Sequence, residues 1–523
     1  MNEARADEVG SAPRAKVSAD SARRAGRGIL SITASKLWFL VAGYAAQLLL
    51  PRLLGSPEAF GLFSTALSFV SILNNVMVGA TIQVVSKRVS ESPERAPHTL
   101  RQGLELQAVL GLALAGTLFL CAPLLAANVL LDPLLTPLFR LAAAVVLAYA
   151  LYTAFVGALN GQQQFRTQAR FDMAYTTMRS GGMITAAALG FGAVGVFYGF
   201  ALASWLVVLA SAFVVGLGKA GRRTPLRSWL SFMAPLWVYQ LCLNLVMQID
   251  VTLLKRSVAA LLQASGSDFA SAAETASRYV GFYRAAQTFA FVPYQLIMPV
   301  PLVIFPMISQ ALSLGDEAAA ARYIRAALRF SLLMLLGVAA PIAGAAKGVM
   351  MLVYPAAYAA GAPALAVLGV AMVCLALFVS SATIMTGAGR PGLAAAVASV
   401  AVVCVVGGNI GFVKYAGVGE HTLLAAALGT GCGTLVALAL MGYAVYARFG
   451  GFIAPLSLAR ALVAGAAAYL VAHALASSGG KLHTLIAAAL GAASFVVTLI
   501  VLRELTRADL DAVSGMVRRK RGS

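Results

Sequence analysis

Charged and amide side chains recur inside long apolar segments of this sequence, at spacings that place them on shared helix faces. Residues three, four, seven or eleven positions apart lie on one face of an α-helix. Lys36 and Gln47 share a face in this way, as do Arg284 and Gln287. Because a charge inside a membrane costs about 2.5–3.5 kcal/mol or more, such residues are candidates for a functional role. Buried cations can bind an anion, and amides can bind the hydroxyl groups of a sugar.

The same reasoning yields a larger set of predicted binding residues. The set is Lys36, Gln47, Asn75, Arg179, Gln240, Asn244, Gln248, Lys255, Arg284 and Gln287. Structural alternatives stand beside several of them. Asparagine can join two helices without a ligand, Arg179 could neutralise Asp172, and Lys36 could extend to the cytoplasmic surface. Lys255, at the predicted outer end of its helix, could be solvated or bound to lipid headgroups.

The elements that must position these side chains are membrane-spanning helices. Apolar residues make up 60% of the chain, charged residues 11%, and the mean hydropathy is +0.85. A soluble domain cannot bury that much apolar surface, and apolar segments of about 20 residues are longer than the strands of a membrane barrel. We predict fourteen spanning helices, at 29–50, 61–85, 103–126, 137–159, 169–190, 194–216, 229–253, 280–310, 323–345, 361–386, 392–413, 422–446, 456–476 and 484–502.

The positive charge of the chain predicts its orientation. A formal net charge of +20 could indicate nucleic-acid binding, but no basic stripe lies on a soluble module, and we expect no nucleic-acid partner. With the N-terminus in the cytoplasm, the cytoplasmic segments carry 28 Lys and Arg residues and the external segments carry 8. This bias predicts that both termini are cytoplasmic. The five scattered cysteines and four histidines form no metal-binding pattern, so we expect no metal and no cofactor.

The sequence also repeats itself at a nearly constant offset. Residues 59–70 match 279–290 at an offset of 220, and residues 151–161 match 377–387 at an offset of 226. Six helices precede the second copy, and because six is even, both copies enter the membrane from the same side. Two such lobes can enclose a cleft that opens to either face of the membrane. That architecture is typical of an alternating-access transporter.

The predicted fold is therefore an all-α membrane protein with two parallel-repeat six-helix lobes in a V and two additional C-terminal helices. We expect no cleavable signal peptide, because the first apolar segment is too long for one. The predicted parts are a disordered basic tail at 1–28, an N-lobe at 29–218, a C-lobe at 219–450, two extra helices at 451–503 and a second basic tail at 504–523.

Five short motifs add a resemblance to a known family. They are P-R-L-L-G at 51–55, F-G-L-F-S at 60–64, A-L-N-G-Q-Q-Q-F at 158–165, V-G-F-Y at 280–283 and G-A-G-R-P at 387–391. These motifs resemble those of the bacterial polysaccharide-biosynthesis flippases, the O-antigen and exopolysaccharide translocases. The chain departs from the lipid II branch of this fold, since it contains no close copy of that branch's first-helix pattern.

The resemblance implies the fold shared by multidrug-and-toxin extruders and lipid II flippases, in which helices 1, 2, 7 and 8 line the central cavity. It implies a transporter of the bacterial inner membrane that moves a polyprenyl-pyrophosphate-linked oligosaccharide from the cytoplasmic to the outer leaflet, and not an enzyme. Expected partners are this lipid-linked glycan, membrane lipids, and the polysaccharide polymerase and chain-length machinery. We expect the chain to act as a monomer.

Two acidic residues are the strongest candidates for coupling transport to a Na⁺ or H⁺ gradient. They are Asp172 and Asp250. Asp250 lies about 80° around its helix from Gln240, so we expect it to face a different partner. That partner could be Arg284, Lys255 or the coupling ion. Transport driven by the membrane potential, or by consumption of the product, is the alternative.

Two other functions remain open. A multidrug or cation antiporter of the same fold would favour buried acids, whereas the predicted cleft holds more Lys and Arg than Asp. A glycan polymerase or ligase would need catalytic groups in a large outer loop. The longest predicted outer loop, 254–279, contains only Asp268 and Glu274 as acids and no His. No P-loop is present, so ATP does not drive the chain directly.

Overall fold

The computed structural model describes residues 19–221, 224–297, 307–308, 310–311, 314–476 and 480–505, with side chains from residue 34 onwards. In these ranges the chain forms fourteen helices of 21 residues or more and a short helix at Ala346–Val353. The long helices are α1 (Ala19–Leu53), α2 (Pro57–Glu91), α3 (Ala96–Leu124), α4 (Leu135–Gly161), α5 (Phe165–Ala188), α6 (Gly192–Val215), α7 (Leu226–Ala264), α8 (Phe269–Ile297), α9 (Glu317–Gly344), α10 (Ala362–Gly387), α11 (Pro391–Ala416), α12 (Thr422–Phe449), α13 (Pro455–Ala476) and α14 (Lys481–Val501).

Each predicted spanning segment overlaps one of these helices, although the segment 280–310 overlaps α8 only as far as residue 297. Eleven of the fourteen are long and apolar enough to cross a membrane, and the remaining three are α1, α5 and α8. These three carry five of the ten predicted binding residues, and α7, which passes the same criterion, carries another four. Helix α1 begins at Ala19, inside the segment that we expected to be disordered.

The structure differs most from the prediction at 254–279. The prediction of a long outer loop there is wrong. Helix α7 continues to Ala264 and α8 begins at Phe269, so only residues 265–268 connect them. Pro293 lies inside α8, whereas Pro299, Pro301 and Pro306 of the predicted helix 280–310 fall outside the described residues.

Local sequence signals explain where helices begin. The Ser56 hydroxyl accepts a hydrogen bond from the Ala59 amide at 3.1 Å, and Pro57 occupies the first position of α2. Asp316 accepts one from the Ala319 amide at 2.8 Å and starts α9. Both are preferred N-cap residues, because their side chains satisfy amides that have no partner within the helix.

The two lobes have the same internal packing. In the N-lobe α1 packs on α5, α2 on α4, α3 on α4, α4 on α6 and α5 on α6. In the C-lobe the helices six positions later form the same five pairs. Helices α13 and α14 pack on each other and on α9. The repeat in the sequence is therefore a repeat of a complete six-helix bundle.

The turns after α4 and α10 repeat to the level of single hydrogen bonds. The amides of Gln162, Gln163 and Gln164 bond to the carbonyls of Ala158, Asn160 and Leu159, and the residues 226 positions later form the same three bonds. Gln163 has φ of 57° and its counterpart Gly389 has φ of 80°. The turn needs a left-handed backbone conformation at this position, and glycine adopts that conformation without strain.

Helices α2 and α8 form a reciprocal contact between the lobes. A Cβ at Gly61 would overlap the Ser277 carbonyl, and one at Gly281 would overlap the Pro57 carbonyl. Gly281 is the counterpart of Gly61 at an offset of 220, and Ser277 is the counterpart of Pro57. Such an exchange of equivalent residues is what a local two-fold axis produces. The axis between the lobes therefore passes between α2 and α8.

The lobes also meet at the other end of α2. We call the end of the bundle that carries Asp132 the Asp132 face, and the opposite end the Arg88 face. Toward the Arg88 face, Val84, Val85, Trp229 and Met233 form one buried cluster between α2 and α7. The two-fold counterpart of this pair, α1 with α8, makes far less contact among the described residues. The molecule is thus closed on the α2–α7 side and more open on the α1–α8 side.

Candidate functional site

The centre of the candidate site is Arg284 on α8, which is 9% exposed. Its Nη1 donates hydrogen bonds of 3.0 Å to the amide oxygens of Gln248 and Gln287. Tyr44 of α1 and Tyr354, which follows the short helix, lie close enough for electrostatic interaction. The ion pairs formed between described residues do not include Arg284. The guanidinium is therefore oriented by neutral amides, and none of the described carboxylates pairs with it directly.

The carboxylate of Asp250 on α7 lies directly behind this arginine and is fully buried. Its Oδ2 accepts hydrogen bonds from Tyr283 at 2.8 Å, Gln287 at 2.9 Å and Thr430 at 3.0 Å. Asn409 donates to the Thr430 hydroxyl at 3.3 Å. Of the three partners considered for Asp250, neither Arg284 nor Lys255 forms an ion pair with it among the described residues, and Gln287 stands between it and the arginine.

Helices α1 and α5 bring together a second group in the N-lobe. Arg179 lies over the rings of Phe39, Tyr175 and Phe200 at 5.3, 5.8 and 5.6 Å from their centroids. The arginine is therefore held by cation–π contacts. Arg179 does not neutralise Asp172: the ion pairs between described residues do not join them, and the carboxylate instead accepts a hydrogen bond of 3.1 Å from Tyr152 and interacts electrostatically with Lys36.

Lys36 is exposed on α1 and close enough to Asp172 for electrostatic interaction. Farther along α1, the Oε1 atom of Gln47 is buried without a hydrogen-bond partner among the described residues. The Tyr354 hydroxyl reaches the Gln47 carbonyl at 3.4 Å. Gln47 thus lies near Tyr354 and Arg284. Lys36, which was predicted to share its helix face, lies near Asp172 instead.

Three further predicted residues join α2 to α7 instead of surrounding Arg284. Asn75 donates a hydrogen bond of 2.7 Å to the side chain of Asn244. The Gln240 side chain packs on Gly79, and a Cβ at position 79 would overlap the Gln240 amide. These contacts agree with the alternative in which asparagine joins helices.

Lys255 lies away from the other predicted residues and is fully buried, so its interpretation as a solvated or headgroup-bound cation is wrong. Its Nζ donates to Asp132 at 2.6 Å and to the Ala273 carbonyl at 2.7 Å, and it also contacts the Ser277 hydroxyl. Asp132 follows α3 in the N-lobe, whereas Lys255 and Ser277 belong to the C-lobe. This buried ion pair therefore joins the lobes at the Asp132 face.

Four residues at these sites were not predicted from the sequence. They are Asp132, Tyr283, Asn409 and Thr430. Tyr283 and Thr430 meet Asp250, and Asn409 meets Thr430, only through the packing of four helices, which no spacing along the chain encodes. Asp132 could have been noticed in the sequence, because an acid between two long apolar segments should have a cationic partner.

Comparisons with known proteins place the chain in a family. A family model described as polysaccharide biosynthesis protein matches residues 25–312, more than half of the chain. None of the curated proteins matches the sequence. Among solved structures, the lipid II flippase MurJ in an inward closed conformation aligns with a TM-score of 0.74 and 13% identity, over 91% of this chain and 99% of that one.

Two other transporters of known structure share the fold. A multidrug resistance MATE family transporter in an inward-facing conformation aligns with a TM-score of 0.63 and 17% identity, over 81% of this chain and 98% of that one. A MOP superfamily transporter from Pyrococcus furiosus aligns with a TM-score of 0.57 and 17% identity, over 82% and 96%. At these identities the likeness shows the fold, which is that of multi-pass membrane transporters.

Proposed function

We propose that this chain, which belongs to the polysaccharide biosynthesis protein family, is a flippase that moves a polyprenyl-pyrophosphate-linked oligosaccharide across the membrane by alternating access. The observation that carries the proposal is the buried guanidinium of Arg284 at the junction of the two lobes. A cation that is held only by amides can bind a pyrophosphate, because charge-assisted hydrogen bonds to phosphate oxygens are stronger than those to neutral oxygens. Gln248 and Gln287 orient it, and they can also bind sugar hydroxyls.

The packing around α1 supports a lipid-linked substrate. Helices α1 and α8 make little contact among the described residues, and we propose that the lobes part here, next to Arg284, to form a lateral opening. A lipid carrier can remain in the bilayer at this opening while its headgroup occupies the cleft. A relative of the same fold is named a lipid II flippase, and the transport of such a substrate by this chain is part of our proposal.

We assign the Asp132 face to the outer side of a bacterial inner membrane and the Arg88 face, with both termini, to the cytoplasm. The excess of Lys and Arg in the segments at the Arg88 face supports this orientation. The substrate would then enter from the cytoplasmic leaflet and leave into the outer leaflet. We expect the chain to act as a monomer beside the polysaccharide polymerase and chain-length machinery.

Asp250 is our proposed site for a coupling Na⁺ or H⁺. The buried Oδ1 atom of Asn409 has no hydrogen-bond partner among the described residues, although the Asn409 amide reaches Thr430 at 3.3 Å. Together with Asp250 and Thr430 it supplies oxygen atoms of the kind that hard cations prefer. Through Gln287 this site is connected to Arg284, so the occupancy of one site can affect the geometry of the other.

Reconstitution tests the proposed function. Liposomes would carry a fluorescent polyprenyl-pyrophosphate oligosaccharide in one leaflet, and its movement to the other leaflet would be followed with the wild type and with Arg284→Ala. We expect translocation by the wild type and a decrease of at least about tenfold in the variant, equivalent to about 1.4 kcal/mol.

Arg140→Gln is the control, since Arg140 is an exposed cation on α4, away from the site. It should transport at the wild-type rate. Equal loss in both variants would assign the effect to net charge and not to the site. If the wild type does not move the lipid but exchanges organic cations for Na⁺ or H⁺, the antiporter function replaces the flippase.

A further inference from the structure

A cavity of about 410 Å³ lies between the lobes at the Arg88 face, and Arg284 is not among the residues that line it. Helix α2 of the N-lobe forms one wall, and the first turns of α7 of the C-lobe form the other. Its lining residues are Val84, Lys87, Arg88, Glu91, Ser228, Ser231 and Phe232. Two cations and two hydroxyl groups therefore share a single cavity with one acid.

The cations of this cavity are held in place by aromatic rings. The Lys87 ammonium lies 4.7 Å from the centroid of Phe232, and the Arg88 guanidinium lies 4.9 Å from that of Trp229. Arg88 also donates a hydrogen bond of 2.7 Å to the Ser228 hydroxyl. Cation–π contacts fix the position of a charge without neutralising it. Both side chains are therefore positioned for a further ligand.

One donor in the cavity has no acceptor. The Nε atom of Arg88 is buried, and the described residues offer it no hydrogen-bond partner. Glu91 is 3.8 Å from Lys87, but both side chains are more than half exposed, so this pair compensates little of the charge. No side chain caps the start of α7, and the positive end of its dipole adds to the potential of the cavity.

We propose that this cavity binds a phosphate group, either that of an anionic lipid headgroup or a free phosphate. The guanidinium and the ammonium are the donors that phosphate oxygens require, and the Ser231 hydroxyl can join them by exchanging its long bond of 3.4 Å to the Ser228 carbonyl. The cavity lies at the ends of two spanning helices, where the headgroups of the bilayer are.

A ligand in this cavity affects the equilibrium between conformations. Its two walls belong to different lobes, so a bound phosphate stabilises the state in which the lobes touch at the Arg88 face and disfavours the state in which they separate there. The cavity is therefore a regulatory site. The binding itself does not depend on the proposed transport activity.

Native mass spectrometry of the full chain in detergent tests the binding. Phosphatidylglycerol and phosphatidylcholine would be titrated separately, with and without millimolar inorganic phosphate. We expect phosphatidylglycerol to bind more tightly than phosphatidylcholine. Its apparent Kd should increase by about fivefold or more for each cation removed, in Lys87→Gln and in Arg88→Gln. Competition by inorganic phosphate assigns the binding to the phosphate group, and tighter binding of inorganic phosphate than of lipid identifies a soluble ligand.

Further variants separate the cavity from the net charge and from folding. Ser231→Leu fills the cavity but keeps both cations and the bond from Arg88 to Ser228, and we expect it to lose binding. Arg95→Gln removes an exposed cation outside the cavity at the same face, and it should bind as the wild type does. Equal affinity in all variants, or equal loss in Arg95→Gln, would overturn the proposal. Arg284→Ala should retain this binding, so a failure of the flippase function can be recognised separately.

Discussion

At the scale of single residues, the chain holds its buried cations in two different ways. Lys255 is paired with the carboxylate of Asp132 at 2.6 Å, whereas Arg284 is held by two amides at 3.0 Å. A pair of opposite charges compensates itself and has little attraction left for a ligand. A cation held by amides retains its attraction for anions. The first arrangement is suited to a contact between lobes, and the second to a binding site.

Asp250→Asn tests the coupling site while preserving the shape of the side chain. Translocation would be measured with a Na⁺ gradient, with a proton gradient and with neither. We expect the variant to transport at the rate observed without a gradient under every condition, because the neutral amide cannot bind a cation as the carboxylate does. Asp172→Asn is the matched control and should still respond. A response lost in Asp172→Asn alone would move the coupling site to the N-lobe.

Asp132→Asn should destabilise the protein by about 3–5 kcal/mol, because it leaves the buried ammonium of Lys255 without a counter-charge. The midpoint of thermal unfolding in detergent would measure this loss. The double variant Asp132→Asn/Lys255→Met should recover most of it, since a neutral pair needs no compensation. If the double variant is no more stable than Asp132→Asn, the loss does not come from the uncompensated charge of Lys255.

Residue-level predictions from the sequence succeeded where the relevant partner lies on the same helix. Arg284 and Gln287 are three positions apart and do contact each other. The partner of Lys255 is 123 positions away, and Thr430 is 180 positions from Asp250. Contacts between distant segments depend on the packing of whole helices, and one sequence does not encode them as a spacing.

At the scale of elements, the close approach of α2 and α8 depends on glycine at position 61. Gly61→Ala should lower the midpoint of thermal unfolding, because a Cβ would overlap the backbone of Ser277 and force the helices apart. Gly116→Ala on α3 is the control, since its Cβ would meet nothing within 4 Å. Alanine favours a helix over glycine by about 1 kcal/mol, so the control should be as stable as the wild type or more stable.

Glu504, which follows α14, adds a polar contact to the packing of the two C-terminal helices on the C-lobe. Glu504 contacts Ser457, Arg329 of α9 and Arg460 of α13. Burial alone raises the pKa of this carboxyl, but the hydrogen bonds from these three residues outweigh it and hold the pKa below its usual 4.5. A lowered pKa contributes stability above the unfolded value, and the contribution is lost as the pH falls through the folded value.

Acidification should therefore destabilise the wild type progressively as the pH falls below about 4.5. Glu504→Gln should be less stable than the wild type at pH 7 and should lack this part of the pH dependence. Thermal unfolding midpoints between pH 7 and pH 3 would measure both. Parallel pH profiles for the two proteins would show that Glu504 does not contribute.

Element boundaries were predicted well because the apolar segments are continuous and their ends carry charge or turn residues. The predicted helix 392–413 compares with α11 at Pro391–Ala416, and 456–476 with α13 at Pro455–Ala476. The prediction failed at 254–279, where Lys255, Arg256 and several small polar residues indicated a loop. There α7 and α8 extend past the apolar segment, and Asp132 compensates the lysine that made the segment look exposed.

At the scale of the whole molecule, the two-fold relation predicts the effect of exchanging charges between lobes. Arg278 donates to the carboxylate of Glu58, and the two positions are counterparts at an offset of 220. Glu58→Arg should weaken the contact by up to about 1 kcal/mol, because the pair is partly exposed. Glu58→Arg combined with Arg278→Glu should restore it. A double-mutant cycle on the thermal midpoint measures the coupling, and the absence of coupling would show that the pair contributes nothing.

The same pair bears on how the two halves came to form one chain. In a homodimer of an ancestral half, the residue at this position would meet its own copy across the axis, and two identical charges would repel. Opposite charges at a self-facing position are available only to halves whose sequences can change independently. The Glu58–Arg278 pair therefore dates from after the two copies became distinct, and it favours the pairing of unlike halves over like ones.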